Sequence, residues 1–179
     1  MIGLTGPNAA GKGEIAARLG QRGFLYHSLS DVLRDELGRR GVPPTRENLI
    51  AVGNELRAQR GAGVLAEMIV PRLGGRDVVD SIRNPKEVDV LRRLPRFVLV
   101  GVDAAMEVRF ARAMARGRPG DGPTFEEFRA KEAVENSSDA ARQQLAATFR
   151  LADLTLSNDG SLADLEQRVE ALLAKLDVV

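Results

Sequence analysis

GPNAAGKG, residues 6–13, stands between an apolar stretch, Ile2 to Thr5, and a segment with helical periodicity. Glycines let the backbone curl until several N–H groups point inward, and the first turn of the following helix adds its dipole. Lys12 adds a full positive charge where the β- and γ-phosphates of a nucleotide would lie. The competing interpretation is a glycine-rich turn that binds nothing. We interpret the stretch as a strand, a phosphate-binding loop and a helix, with a nucleoside triphosphate as the ligand.

The residue after the lysine departs from the usual phosphate-binding motif. That position normally holds Ser or Thr, whose hydroxyl meets magnesium, whereas this chain has Gly13, so one direct metal ligand is missing. The next residue, Glu14, favours the first turn of a helix through the helix dipole; a role in holding the water shell of magnesium is the alternative. The candidate ATP-binding residues of the loop are Gly6, Asn8, Ala9, Ala10, Gly11, Lys12, Gly13 and Glu14.

Short β-branched or aliphatic runs recur along the chain, separated by longer segments with helical periodicity. This alternation is typical of a parallel sheet. Runs such as VVD and FVLVGV are apolar without alternation, which indicates strands covered by helices on both faces. We therefore expect an α/β, three-layer P-loop NTPase fold with about five parallel strands. The expected strands are Ile2 to Thr5, Phe24 to His27, Asp77 to Asp80, Phe97 to Val102 and Leu154 to Leu156.

The domain organisation follows from length and from two departures from the strand-helix rhythm. With 44% apolar residues, residues 1–179 are predicted to form a single domain with its own core. Gly41 to Gly75 is a helical insertion, expected to split near Gly61 to Gly63, because a simple crossover needs only one helix. Arg116 to Pro123 is rich in glycine, proline and arginine and is expected to be a surface loop.

The charges nearly balance, with 26 Lys and Arg against 25 Asp and Glu, which gives no sign of a polyanion-binding or membrane-anchoring surface. The absence of cysteine excludes disulfides and thiolate metal sites, and the single His27 cannot build a histidine metal site. No signal peptide or membrane span is expected. We expect a cytoplasmic protein, a monomer or homodimer, that binds nucleotide small molecules but neither nucleic acid nor membranes.

From IGLTGPNAAGKGE at its start to LSNDGSLADLEQRV near its end, the chain resembles the P-loop nucleoside monophosphate kinase superfamily, which includes adenylate kinases and dephospho-coenzyme A kinases. It is similar in particular to the small dephospho-coenzyme A kinase-like nucleotide kinases of archaea and some bacteria. Adenylate kinases follow Gly-Lys-Gly with Thr, where this chain has Glu14, so the α-phosphate contact of that Thr is missing. The superfamily holds magnesium mainly through waters. The resemblance implies ATP and Mg²⁺ as cofactors.

HSLSDVLR, residues 27–34, resembles the Thr-Gly-Asp-x-Leu-Arg segment of the superfamily. The resemblance implies that Arg34 clamps the acceptor phosphate and that Asp31 is a polar organiser near magnesium or the acceptor. Their i, i+3 spacing puts both on one helix face, at the sheet edge where ligands bind. If the acceptor is a sugar hydroxyl, a general base is needed and Asp31 is the candidate. A solvated Arg34 that pairs with Asp31 or Asp35 is the alternative.

VVDSIRNP, residues 78–85, resembles the Asp-Gly-Phe-Pro-Arg strand end of the superfamily. Asp80 ends a buried strand, where an unpaired carboxylate is costly, so water-mediated magnesium coordination explains it better than packing does. The resemblance implies that Arg83 is a second phosphate clamp. The spacing differs by one residue from that of adenylate kinases, and Pro85 falls later in the segment.

The predicted helix Met106 to Arg116 carries arginines that resemble the lid arginines of the superfamily, which close over the transferring phosphoryl group. Arg112 and Arg116 lie four residues apart, where like charges repel unless an anion lies between them. The resemblance implies that residues 112–123 form a lid, and Arg118 lies in its loop just after the helix. A solvated basic helix face is the alternative.

LSNDGSL, residues 156–162, resembles the segment that touches the donor base in this superfamily. Asn158 and Gly160 are the candidates for that contact, largely through backbone atoms. A turn in which Ser161 caps the last helix is an equally acceptable interpretation, and the two are compatible.

The helical insertion, residues 41–75, is expected to determine which acceptor the protein binds. Asn54 and Arg57 lie one turn apart within it and are candidates for reading a base. An ordinary solvated face that includes Glu55 and Arg57 is the alternative. The sequence does not choose among cytidylate, thymidylate, adenylate and guanylate.

The resemblance implies an ATP- and Mg²⁺-dependent kinase that moves the γ-phosphate to a small phosphorylated acceptor, most of all a nucleoside or deoxynucleoside monophosphate. The alternatives are hydroxyl phosphorylation as in dephospho-coenzyme A kinases, and a regulatory module that binds nucleotide without transfer. A polynucleotide kinase-like domain fits less well, since only 4% of residues are aromatic. The candidate catalytic residues are Lys12, Arg83, Arg112, Arg116 and Asp31.

Overall fold

A computed structural model describes residues 1–118, 120–134, 136, 139 and 142–176 of the protein. Within these ranges no helix combines the length and apolarity that a membrane crossing requires. The strands are β1 (Ile2–Thr5), β2 (Leu25–Ser28), β3 (Asp77–Asp80), β4 (Val98–Asp103) and β5 (Leu154–Ser157). The α-helices are α1 (Lys12–Gln21), α2 (Leu29–Arg39), α3 (Arg46–Arg60), α4 (Val64–Ile69), α5 (Pro85–Leu91), α6 (Met106–Arg116), α7 (Phe125–Val134), α8 (Leu145–Phe149) and α9 (Leu162–Lys175).

The five strands form a parallel sheet in the order β2-β3-β1-β4-β5. Strands β1 and β3 are buried along their whole length, which explains why their sequences are apolar without alternation. The predicted three-layer α/β fold with five parallel strands is confirmed. No strand bound differs from its predicted position by more than one residue.

Helices cover both faces of the sheet. Neighbouring strand residues alternate between two apolar clusters, with Val78 in one and Val79 in the other. The first cluster joins the sheet to α1 and α9 through side chains such as Leu19 and Leu165. The second cluster joins it to α2, α3, α4 and α5 and includes Leu56. The sheet is therefore central, and only its ends are open to ligands.

The crossover from β2 to β3 contains the helical insertion. Thr45 caps α3, because its side chain accepts a hydrogen bond from the backbone N–H of Asn48 at 3.2 Å. Helix α3 ends at Gly61, which has a φ of +99°, and α4 begins at Val64. The insertion thus divides at the glycines, as the sequence indicated.

The lid loop connects α6 to α7. Helix α6 ends at Gly117 in the left-handed conformation, with a φ of +59°. Thr124 starts the next helix, since its hydroxyl accepts from the backbone N–H of Glu127 at 3.2 Å. Pro119 of the predicted lid lies outside the described residues.

Candidate functional site

The phosphate-binding loop, residues 6–13, depends on two glycines for its shape. Gly6 and Gly11 have φ values of +137° and +103°, which residues with side chains rarely adopt. A Cβ at Gly6 would lie 1.9 Å from the carbonyl oxygen of Val102 in β4. A Cβ at Gly11 would lie 2.1 Å from Nδ2 of Asn158, just after β5. The loop is therefore packed directly against the ends of two strands.

Lys12 folds back over this loop. Its Nζ donates hydrogen bonds to the carbonyl oxygens of Gly6 at 2.7 Å and Pro7 at 2.9 Å. Gly11, at the start of α1, provides no side-chain cap, so the backbone N–H groups of the first turn are directed at the loop. The ammonium group and these N–H groups together make a site for phosphate oxygens.

Asn158 supports the loop from beneath. It is buried, and its Nδ2 donates to the carbonyl oxygen of Ala10 at 2.8 Å. Ser161 caps α9 with a capping box that includes Asp164, so the turn-and-cap interpretation of this segment is correct. Neither Asn158 nor Gly160 lines the cleft described next, and their contact with a donor base stays a prediction.

A cleft of about 1040 Å³ opens at the carboxyl edge of the sheet, between the phosphate-binding loop, α2, α3 and the lid loop. Ligands of open α/β sheets bind at this edge, and the volume is at the top of the usual range for small-molecule sites. The positive charge that dominates the lining suits anionic ligands. The acidic side chains are Glu14, Glu47, Asp80 and Asp121, and the basic ones are Lys12, Arg34, Arg46, Arg57, Arg83, Arg112, Arg116 and Arg118.

Asp80 ends β3 and lines the cleft, with only 8% of its surface exposed. Its Oδ1 accepts from the backbone N–H of Ser81 at 2.5 Å, and its Oδ2 accepts from the hydroxyl of Tyr26 at 3.2 Å. Ser81 has a φ of +65°, an uncommon conformation that turns the chain sharply at the strand end. Burial first, and then the negative charge of Asp80, raises the pKa of Tyr26 to about 12.

The cleft fits a hydrated magnesium ion. The described ranges contain no cluster of three or more acidic or histidine side chains that could enclose a metal. Magnesium needs no such cluster, because it keeps several waters and is bound through one or two carboxylates plus the substrate phosphates. Asp80 offers a nearly buried carboxylate in the same cleft as Lys12, and Glu14 lines that cleft too.

Arg34 on α2 and Arg83 after β3 both line the cleft, and their role as acceptor clamps stays a prediction. Nη1 of Arg34 donates to Oδ1 of Asp31 at 2.6 Å, and both side chains are 49% exposed. The pairing that stood as the alternative for Arg34 is therefore present. Asp31 itself does not line the cleft. Nη1 of Arg83 donates to Oε1 of Gln143 at 3.2 Å.

Arg57 is buried, so the expectation of a solvated face that includes it is wrong. The residue is 3% exposed because the apolar side of α3 packs into the core and its guanidinium pairs with Glu87. Glu55 does lie at the surface, where it pairs with Arg40 at 2.7 Å. Arg57 lines the cleft, whereas Asn54, one turn earlier, does not.

Asp121 in the lid loop ties that loop to the phosphate-binding loop. It is 6% exposed and accepts from Nε and Nη2 of Arg116 at 3.1 and 3.0 Å. Nδ2 of Asn8 donates to Asp121 at 3.0 Å, while Nη2 of Arg116 donates to Oδ1 of Asn8 at 2.7 Å. Nη1 of Arg46, at the start of α3, is 3.6 Å from the same carboxylate. One buried acid thus connects the lid, the loop and the insertion.

Two arginines one turn apart on α6 differ in their pairing. Arg109 makes a bidentate ion pair with Glu132 on α7, and its Nε donates to the carbonyl oxygen of Ala104 at 2.8 Å. Nη1 of Arg112 is buried and has no hydrogen-bond partner in the part of the chain that the structure describes. Arg112 lines the cleft, as does the exposed Arg118. An unpaired cationic donor in a cleft suits an anionic ligand.

Several residues of the site were not predicted from sequence, and Tyr26, Glu87 and Asp121 are the ones that hold other site residues in place. Glu87 belongs to a recognisable pattern, because Asn84 and Glu87 form a capping box at the start of α5. Tyr26 reads as an ordinary strand residue. Asp121 reads as a turn residue, and its partner Asn8 is 113 positions away, so no local pattern points to it.

The parallel sheet, the loop between β1 and α1 and the cleft at the carboxyl edge define the P-loop kinase fold. The TT1252 protein of Thermus thermophilus has a TM-score of 0.64 at 26% identity, over 98% of this chain and 96% of that one. Shikimate kinase from Acinetobacter baumannii has a TM-score of 0.59 at 17% identity, over 97% and 92% of the two chains. A gluconokinase from Sinorhizobium meliloti has a TM-score of 0.58 at 17% identity, over 98% of this chain and 91% of that one.

Sequence relatives identify the family. A UPF0200 protein of Hyperthermus butylicus is 34% identical over 180 residues, which span 98% of this chain and 94% of the relative. A UPF0200 protein of Methanoculleus marisnigri is 32% identical over 181 residues, 98% of this chain and 96% of the relative. The chain belongs to the UPF0200 family. No protein-family model matches it. The family name states no activity.

Proposed function

We propose that the protein is an ATP- and Mg²⁺-dependent kinase whose acceptor is a small phosphorylated molecule, a nucleoside or deoxynucleoside monophosphate. One observation carries the proposal: a single cleft gathers Lys12 of the phosphate-binding loop with arginines of α2, α6 and the segment after β3. Two phosphorylated molecules that meet in one cleft repel each other. Cationic groups on both sides of the transferred phosphoryl group offset that repulsion.

On the donor side, Lys12 and the loop N–H groups would hold the β- and γ-phosphates of ATP. Asp80 would hold the hydrated metal through water, with Glu14 as a second carboxylate nearby. When bound, magnesium neutralises charge on the phosphates. Asn158 and Gly160 would contact the base, mainly through backbone atoms. The loop needs little rearrangement for this, since it is already fixed by its packing against β4 and Asn158.

On the acceptor side, Arg34 and Arg83 would place the acceptor phosphate in line with the γ-phosphate. An oxygen of the acceptor phosphate attacks the γ-phosphorus while the bond to the β-γ bridging oxygen breaks and ADP leaves. A phosphate oxygen is already anionic and needs no general base. The position of Asp31, paired with Arg34 and outside the cleft lining, agrees with a reaction that has no base.

The lid would supply the remaining charge. Arg112, Arg116 and Arg118 line the cleft on the lid side, and they would stabilise the negative charge of the transferred group. Arg116 is held by Asp121 in this structure, so its contribution requires that a phosphate oxygen take over part of that pairing. In the insertion, the cleft-lining Arg57 is a better candidate for acceptor recognition than Asn54.

Phosphorylation of a hydroxyl group is the second candidate. The similarity to solved structures of a shikimate kinase and a gluconokinase supports an acceptor that is a small molecule with a hydroxyl group. Dephospho-coenzyme A also accepts the phosphoryl group on a hydroxyl. This reaction needs a general base in the cleft, and Asp31 would have to leave Arg34 to serve as one. A regulatory module that binds nucleotide would need Lys12 and Asp80 but neither Arg34 nor Arg83.

The test is transfer from ATP, with magnesium, to a panel of acceptors scored for ADP and for the phosphorylated product. The panel contains nucleoside monophosphates, deoxynucleoside monophosphates, dephospho-coenzyme A, shikimate and gluconate. We expect transfer to at least one monophosphate. Transfer only to hydroxyl acceptors would favour the second candidate. ATP binding without transfer to any acceptor would favour the regulatory module.

A further inference from the structure

Arg57 on α3 and Glu87 on α5 form a buried ion pair, and a contribution to the stability of the fold does not explain why charged residues stand there. The two side chains are 2% and 0% exposed. Nε and Nη2 of Arg57 donate to Oε1 of Glu87 at 3.2 and 2.8 Å. Apolar side chains of the same volume are often as stabilising as such a pair, because both charges lose their hydration on burial. The pair stands at the wall of the cleft, since Arg57 lines it.

The third nitrogen of the same guanidinium is Nη1, which takes no part in the two hydrogen bonds to Glu87. Nη1 of Arg57 is buried and has no hydrogen-bond partner among the residues the structure describes. It lies close to Gly53, where a Cβ would be 3.2 Å from Nη1 and 3.4 Å from Cδ1 of Leu33. Leu33 also lines the cleft. A buried cationic donor without a partner is costly, and an oxygen of a bound ligand would remove that cost.

We propose that Arg57 determines the specificity for the acceptor by donating from Nη1 to a carbonyl oxygen of its base. The inference rests on the kinase function proposed above. Apolar side chains of Leu33, Leu49, Ile50 and Leu65 line the same cleft as Arg57 and suit a flat ring. Leu33, which lies beside Gly53 and lines the cleft, would move aside when the acceptor enters.

The donor character of Arg57 decides the class of base. A guanidinium fixed by Glu87 offers hydrogen-bond donors and no acceptor. Uracil, thymine, cytosine and guanine each carry a carbonyl oxygen. Adenine carries none, so its only acceptors are ring nitrogens, and N1 and N7 each lie next to the donor amino group N6–H₂. The acceptor is thus a monophosphate of a carbonyl-bearing base, and adenylate is disfavoured.

Glu87 links this contact to the phosphate clamp. Its Oε2 accepts from the backbone N–H of Arg83 at 2.8 Å and from that of Asn84 at 3.0 Å. One buried carboxylate therefore fixes both the guanidinium of Arg57 and the backbone of Arg83. Glu87 acts as a positioning residue that sets the distance between the two ends of the acceptor.

The experiment compares Arg57→Lys with the wild type for acceptors with and without a carbonyl oxygen. Lysine retains a cation for Glu87 but has no counterpart of Nη1. Binding of CMP, UMP, dTMP, GMP and AMP is measured calorimetrically, and transfer from ATP is measured in parallel. We expect the wild type to favour at least one carbonyl-bearing base over AMP about tenfold or more, and Arg57→Lys to lose most of that preference.

Two further variants make the test specific. Arg60→Lys, at the exposed end of the same helix, should leave the preference unchanged. Gly53→Ala keeps both charges and crowds Nη1, so it should weaken the preference even if Arg57→Lys fails to fold. The inference is overturned if the wild type binds AMP as well as the others, if Arg57→Lys weakens all five equally, or if none binds. A binding preference without transfer would support the role of Arg57 and contradict the kinase function.

Discussion

The two sides of the cleft are held together in different ways. On the phosphate-binding side, Gly6 and Gly11 let the loop pack on main-chain and amide groups, and Lys12 bonds to two carbonyls of the same loop. On the acceptor and lid side, charged side chains form contacts with distant segments, and one of these contacts reaches the phosphate-binding loop at Asn8. Arg57 reaches Glu87 across 30 positions, and Asp121 reaches Asn8 across 113.

This difference suggests how the site would respond to a ligand. The packing of the loop on β4 and Asn158 is made by groups of the protein alone, so we expect the loop to be in place before the donor binds. Ion pairs can exchange one anion for another, and a phosphate can compete with a carboxylate for the same guanidinium. We therefore expect the lid, but not the loop, to reorganise when nucleotides bind. The predictions that follow test the two sides separately.

The largest effect should come from the loop side. Lys12→Ala removes the charge nearest the transferred phosphoryl group, and we expect kcat/KM for ATP to fall by about 1000-fold. The fold should persist, because the loop keeps its glycine geometry. Steady-state kinetics with the best acceptor measures the loss. Lys86→Ala is the matched control, since Lys86 is exposed, pairs with Asp89 and lies outside the cleft. Equal activity of the two variants would contradict the role given to Lys12.

The next effect should be confined to the acceptor side. In the double variant Arg34→Ala with Arg83→Ala, kcat/KM for the acceptor should fall by about 100-fold, because two charged hydrogen-bond donors to its phosphate are lost. ATP binding should change little. Arg39→Ala is the control, as Arg39 lies on the same helix as Arg34, is exposed and pairs with Glu36. Unchanged transfer to every acceptor would remove the clamp assignment.

The same contrast explains what could be read from the sequence. The fold and the loop were predictable because their signals are local: apolar runs for the strands, and glycines with Lys12 directly after β1. The caps at Thr45 and Ser161 were local as well. Asp80 stood out because it ends a buried strand. Each of these inferences needs only a few neighbouring residues.

The acceptor and lid side was less predictable, because its contacts are tertiary. Arg57 has the sequence context of a surface residue, and only the folded structure shows that it is buried with Glu87. Asp121 stands in a glycine- and proline-rich loop, which indicates a turn and gives no hint of Arg116 or Asn8 as partners. Residue type and spacing cannot predict a pair whose members meet only after folding.

A smaller effect should appear in stability when the lid contact is removed. Asp121→Asn leaves Arg116 without its carboxylate, and we expect a loss of about 2 kcal/mol in the free energy of unfolding. Denaturant unfolding measures it, with the exposed Asp89→Asn as the control, which should change by less than about 0.5 kcal/mol. Excess ATP should reduce the deficit, because a phosphate can then pair with Arg116. A deficit that ATP leaves unchanged would argue against the exchange of partners.

The smallest effect concerns the pKa of Tyr26, whose hydroxyl contacts Asp80 at the end of β3. The chain has one tyrosine and no tryptophan, so its tyrosinate absorbance follows this residue alone. The pKa of about 12 arises from burial and then from Asp80, so without magnesium Asp80→Asn should lower it toward the ordinary 10.0 but not reach it. Asp31→Asn should lower the pKa of Tyr26 less, because Asp31 is the weakest of the causes that raise it.

The raised pKa of Tyr26 also makes the stability of the protein depend on pH. Since the pKa is higher in the folded state than in the unfolded state, the stability that the phenol contributes is complete below about pH 10 and is lost between about pH 10 and 12. An unchanged pKa of Tyr26 in Asp80→Asn would show that Tyr26 does not contact Asp80 in solution.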